Sequence, residues 1–185
     1  MALVKGTLIN AWKNFLKERF GETRLADALQ SLEADDRFLV QSAILDSTWY
    51  PMKLQQIMGR LTKSLTTASD KDMALELGRY MADYVYSTVY RRLLKKPHGD
   101  RAIDWFDDVV YQDLRKCVVE TAGPTSFVAR YFYLENRPTP GQCRSLQGFI
   151  SRKMELAGYR EVTCVHPKCL ARGSDCCEFL MQWEN

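Results

Sequence analysis

Residues Cys117 to Leu134 read CVVETAGPTSFVARYFYL, and this stretch decides the fold class. Cys117 to Thr121 is β-branched and extended in character, Gly123-Pro124 is a turn signal, and Phe127 to Leu134 is aromatic and β-branched. Two strands joined by a tight turn follow from that pattern. Downstream, Pro138 and Pro140 mark a loop, and Gly141 to Ala157 carries Leu146, Phe149, Ile150 and Met154 at helical spacing before Gly158 closes it. Glu161 to His166 alternates, and Cys177, Phe179, Met181 and Trp183 alternate again. The C-terminal half thus reads strand, strand, helix, strand, strand.

Upstream the period is helical. Val4, Leu8, Ala11, Trp12, Phe15, Leu16 and Phe20 form one apolar stripe, with Gly21 placed to end it. Thr23 is positioned to cap a second helix through Leu25, Ala28, Leu29 and Leu32, and Asp35 or Asp36 a third through Phe38, Leu39, Ser42 and Ala43. Pro51 fits the first turn of a helix bearing Leu54, Ile57, Met58 and Leu61. The longest helix is expected from Asp70 or Lys71 to Lys95, ending at Pro97-His98-Gly99, with a short one over Ile103 to Asp113. The sequence therefore predicts one α+β domain over residues 1–185, with a helical part over 1–113 and a small antiparallel sheet crossed by a helix over 114–185.

The chain has 185 residues, enough to bury a core without covalent staples. Lys plus Arg number 26 against 23 Asp plus Glu, a balance that argues against a dedicated nucleic-acid binder. No apolar run approaches a bilayer span, and charges at Lys5, Lys13, Lys17, Glu18 and Arg19 interrupt any export signal, so a cytoplasmic location is expected. In such a compartment disulfides are disfavoured. Yet five of the six cysteines, Cys143, Cys164, Cys169, Cys176 and Cys177, crowd the last 43 residues.

His166 and Cys169 lie where the third strand ends, and Cys177 starts the last strand after a turn at Gly173. Cys143 belongs to the first turn of the preceding helix, where free backbone N–H groups favour a thiolate. Cys143, His166, Cys169 and Cys177 make a Cys3His set, which is a closed tetrahedral structural site for Zn2+. Arg144, Lys168 and Arg172 are near enough in sequence to offset its residual negative charge. Cys164 shares a strand face with His166 and is an alternative ligand. The same thiols would also serve as small apolar core residues.

Two segments, PTPGQCRSLQGFISRKMELAG at 138–158 and HPKCLARGSDCCEFLMQW at 166–183, resemble the C-terminal signature of the 4-vinyl reductase domain, found in bacterial sensors that include phenol-responsive transcription activators. The resemblance implies zinc held at Cys143, His166, Cys169 and Cys177, with His166 standing where those activators place a carboxylate. LVKGTLINAWKNFLKERFG, STWYP and LGRYMADYVYSTVYR look like a large paralogous family of uncharacterised myxobacterial proteins. The opening is also similar to the haem-nitric-oxide/oxygen-binding domain, whose fold group includes subunits of the TRAPP vesicle-tethering complex. These likenesses imply a shared fold rather than one function.

The resulting expectation is a non-catalytic, zinc-supported sensor with an internal site for a small apolar or aromatic ligand, lined by Trp49, Tyr84, Trp105 and Phe132 with His98 as a polar handle. An alternative is a module that homodimerises or docks a signalling partner through Arg91, Arg92, Lys95 and Lys96 or the Asp107-Asp108 region. No haem is expected, because the Tyr-x-Ser-x-Arg pattern of the haem family is absent and His166 is assigned to zinc. No enzyme is expected either: there is no phosphate loop, no Ser-His-Asp order and no paired acid–base set.

Overall fold

A computed structural model describes residues 2–67, 70, 72–88, 90, 91, 94, 107, 109–134 and 137–184. The fold is α+β, and its contacts divide it into two compact units, Met1–Lys71 and Asp72–Asn185. The change of element type expected at 113/114 is thus not where the units divide, because a long helix travels with the sheet.

In the first unit a short strand β1 (Leu3–Lys5) precedes α1 (Gly6–Phe20), and Leu8, Ala11, Trp12, Phe15 and Leu16 form the buried stripe. Val4, expected in the helix, instead pairs with Tyr50 of β2 (Trp49–Pro51). Gly21, at φ 81°, ends α1, and α2 (Glu22–Gln30) starts at once, so Thr23 lies inside that helix rather than capping it. In α3 (Ala34–Gln41), Asp35 and Asp36 occupy the first turn, where carboxylates favour the dipole, and Glu33 takes the cap position. Pro51 closes β2 and immediately precedes α4 (Met52–Leu65), whose Leu54, Ile57, Met58 and Leu61 are buried as expected. Trp12 donates from Nε1 to Thr62 Oγ1 at 2.8 Å, tying α1 to α4.

The second unit is layered. Helix α5 (Met73–Ser87) packs on α6 (Pro140–Leu156), and α6 covers one face of a four-stranded antiparallel sheet. Strands β4 (Arg115–Gly123), β5 (Ser126–Tyr133), β6 (Arg160–Lys168) and β7 (Cys177–Glu184) lie in the order β4-β5-β7-β6. The strand, strand, helix, strand, strand reading holds, and the last strand inserts between the second and third. Ala129, Tyr131, Ile150, Met154, Phe179 and Met181 form the core between α6 and the sheet.

Helix α5 is shorter than expected. Ser87 Oγ and Thr88 Oγ1 return hydrogen bonds of 2.8 and 2.7 Å to the carbonyls of Tyr84 and Val85, and the helix stops at Ser87. Such hydroxyls offer the backbone an alternative to the helical ladder. Of its predicted continuation to Lys95, residues 89, 92, 93 and 95 lie outside the described residues, and so does His98 in the expected break. Within the short helix expected to reach Asp113, Tyr111–Gln112 is instead strand β3, and Asp113 turns the chain at φ 54°, a conformation Asp tolerates. Among the described residues, no helix is long and apolar enough to cross a membrane.

Candidate metal centre

Two local structures bring the thiols together. Thr139 and Gln142 form a reciprocal capping box with Pro140 at the first helical position, which fixes the start of α6 and places Cys143 one turn in. After β6, the chain turns through residues Leu170–Arg172 to Gly173, at φ 96°, where a side chain would be strained. The Cys169 N–H donates to Ser174 Oγ at 3.2 Å, and the Ser174 N–H returns to the Cys169 carbonyl at 3.1 Å. This closed turn sets Cys169 beside Cys177 at the start of β7.

Cys143, Cys169 and Cys177 are buried and His166 is half-buried. Their four ligand atoms lie within 4.8 Å of one another. Cys143 Sγ is 3.6 Å from Cys177 Sγ and 3.8 Å from Cys169 Sγ. With Zn–S bonds of about 2.3 Å, two vertices of a tetrahedron fall about 3.8 Å apart. The sulfur spacing therefore fits zinc. His166 Nε2 is buried and has no hydrogen-bond partner. An uncompensated ring nitrogen is costly in a protein interior, and a metal ion would satisfy it. All six cysteines are free thiols.

Without metal, charge in the cluster collects on Cys177. The Cys143 thiol hydrogen-bonded to it, with help from the His166 ring and from the Leu170 N–H at 3.4 Å, outweighs burial and pulls the Cys177 thiol down to about 4. Cys143 moves the opposite way, pushed up by its hydrogen bond to Cys177 and by burial. Of the three basic residues expected to offset the charge, Arg172 donates to the His166 carbonyl at 3.0 Å. Arg144 is engaged by Gln147 and Asp72, and Lys168 by Glu178.

Cys164 does not belong to the ligand group. Burial pushes its thiol up to about 12, which suits an inert core residue. Cys176 is buried at the hairpin outside the cluster. Sequence reasoning missed Phe179, whose ring stacks on His166 with centroids 4.2 Å apart and planes 7° from parallel. Phe179 lies two residues after Cys177, so strand alternation was the available signal.

Of the proposed ligand-lining residues, Trp49 belongs to the first unit, and Tyr84 and Phe132 belong to the second. Trp49 is half-buried on β2, with Lys5 Nζ 4.0 Å above its ring. Tyr84 is half-buried on α5. Phe132 is 39% exposed, because alternation turns Tyr131 and not Phe132 toward α6. His98 and Trp105 lie outside the described residues. Asp107, expected on an exposed docking surface, is buried and grips the buried Arg115 through contacts of 2.6 and 2.7 Å. Arg115 also donates to Tyr133 Oη at 2.7 Å and lies over the rings of Tyr111, Tyr131 and Tyr133. Arg92, Lys95, Lys96 and Asp108 fall outside the described residues.

No family model matches the chain. No curated protein matches it either. Solved structures do. An H-NOX protein from S. oneidensis in the Fe(II)NO state is similar with a TM-score of 0.71 at 13% identity, over 98% of this chain and 99% of that one. The unliganded Fe(II) H-NOX protein from K. algicida gives 0.64 at 13% identity, over 98% and 97%. A Shewanella oneidensis H-NOX domain in the Fe(II)CO state gives 0.66 at 14% identity, over 98% and 99%. The chain shares the H-NOX fold, in agreement with the likeness noted at its opening. Because those neighbours are in iron ligation states, the expectation that haem is absent draws no support from them. Among the described residues the one histidine is His166, whose ring contributes one nitrogen to the group with Cys143, Cys169 and Cys177.

Proposed function

We propose that this protein is a non-catalytic regulatory sensor domain of H-NOX-like fold whose C-terminal corner is fixed by one structural zinc ion. The observation that carries the metal is the convergence of three sulfurs and a ring nitrogen of His166 within 4.8 Å, with His166 Nε2 buried and without a hydrogen-bond partner. Cys143, His166, Cys169 and Cys177 would fill all four positions of a tetrahedral ion, leaving none for substrate, which is why the role is structural. Three thiolates and one imidazole leave one net negative charge on the site, which the Leu170 N–H partly offsets at Cys177. The unbridged thiols suit a reducing compartment, and we place the protein in the cytoplasm.

The sensor part rests on the fold likeness and on the 4-vinyl reductase motif at the same four residues. Its ligand would be small and apolar or aromatic. Native mass spectrometry with metal analysis tests both parts together. One zinc per chain is expected, with any co-purified small molecule seen as added mass. Chains free of zinc after chelator-free purification would refute the metal. A thermal-shift screen of aromatic compounds tests the ligand, since a compound bound only to the folded state must raise its stability. The H-NOX neighbours favour a second reading, a haem-dependent gas sensor. A Soret band in the purified protein would replace the first reading by the second.

A further inference from the structure

The two outer strands of the sheet differ in a way that matters for assembly. Strand β6 is irregular: its pairing with β7 shifts register between Arg160 and Thr163 and again between Val165 and Lys168, and Pro167 removes one donor. Bulges and prolines are among the devices that keep a sheet edge from recruiting another strand, beside charged side chains. Strand β4 has no bulge over Arg115–Thr121. It contains no proline, and it stays in continuous register with β5 from Arg115↔Tyr133 to Thr121↔Phe127. It is the terminal strand of the sheet among the described residues, and Val118 at its middle is 43% exposed.

The side chains along this edge are self-complementary. Lys116, Val118 and Glu120 alternate onto the exposed face. An antiparallel copy of the same strand, centred on Val118, sets Lys116 of each chain opposite Glu120 of the other and Val118 opposite Val118. Cys117 then faces Val119. Lys116 forms no ion pair among the described residues, and Glu120 is held from one side by Arg130 at 2.6 Å with its side chain 58% exposed. We propose that β4 pairs with β4 of a second copy of this chain, joining two four-stranded sheets about a two-fold axis. Such an interface is isologous, so one strand supplies both halves of each charge pair. Opposite charges across an antiparallel pair attract and like charges repel.

Sedimentation velocity on the full chain over a wide concentration range tests this. The wild-type chain should show a concentration-dependent monomer–dimer equilibrium. Lys116→Glu should weaken dimerisation about tenfold, because each pair then sets carboxylate against carboxylate. Glu120→Lys should weaken it too, and an equimolar mixture of the two variants should form a heterodimer. The double variant Lys116→Glu/Glu120→Lys should recover the wild-type constant. Circular dichroism confirms that each variant is folded. A wild-type chain that stays monomeric at its highest concentration overturns the proposal. So does a dimer indifferent to these charge reversals, which would place the interface elsewhere, or one rescued by neither the mixture nor the double variant.

Discussion

Cys176 and Cys177 are adjacent and both buried, yet only Cys177 has its sulfur in the cluster, 3.6 Å from that of Cys143. Cys177→Ser removes a ligand and leaves the remaining thiols and the His166 nitrogen facing each other without an ion. Cys176→Ser changes one buried atom. We expect the first to abolish zinc retention and cost about 3 kcal/mol or more, and the second to keep full zinc stoichiometry and cost about 1 kcal/mol. Metal analysis and thermal unfolding of the two variants check this, and equal effects would mean the ligand assignment is wrong. The four site residues were legible in the sequence because each sits at a punctuation mark: a helix start after Thr139-Pro140, a strand end, and a hairpin turn at Gly173. The Phe179 ring on His166 and the Arg115 cage of tyrosines were not, since they depend on cross-strand register and on the path of the chain between strands.

Between elements, the contact of α5 with α6 is set by two glycines. A Cβ on Gly78 would lie 1.8 Å from the Ser145 carbonyl oxygen, and one on Gly148 would lie 2.2 Å from that of Leu75. Backbone stands against backbone, so the helices must separate to admit a methyl group. Gly78→Ala should therefore destabilise the second unit by about 2–3 kcal/mol. Gly59→Ala in α4 is the control. A Cβ there would meet Trp12 Cη2 at 4.0 Å, an ordinary contact, and alanine in a helix interior should stabilise by about 0.5–1 kcal/mol. Chemical denaturation of both variants decides it. The same helix pair carries Glu155, bound by Arg79 at 2.8 Å and Arg152 at 2.9 Å. Burial pushes its carboxyl up, but hydrogen bonds from the two guanidinium groups hold it below the usual range. A depressed carboxylate stabilises above its unfolded pKa, and that stability is lost as pH falls through the folded value. Glu155→Gln should cost about 1 kcal/mol at pH 7 and little at pH 3, seen as a shallower acid-denaturation profile. Element types were legible from periodicity and capping signals, and the helix end at Ser87 was not, because apolar period continues past the point where hydroxyls turn the backbone.

For the molecule as a whole, the decisive fact is that the candidate metal centre lies in a unit with its own core. Ala129, Tyr131, Ile150, Phe179 and Met181 pack with Cys143, Cys169 and Cys177 in the second unit, while Leu8, Leu16, Ile57, Met58 and Leu61 are buried in the first. Sequence reading found both sets of residues, but helical period says nothing about which helices share a core. Local opening free energies differ across a structure, and amides next to a lost constraint exchange first. Chelating zinc from the full chain should therefore speed hydrogen exchange in β6, the turn through Gly173, the start of β7 and the first turn of α6. The amides of α1 and α4 should keep their protection, because nothing they bury depends on the ion. Hydrogen-exchange mass spectrometry before and after chelation reads both regions in one experiment. Uniform loss of protection would show that the ion supports the entire fold. No change anywhere would show that the four side chains hold their places without it.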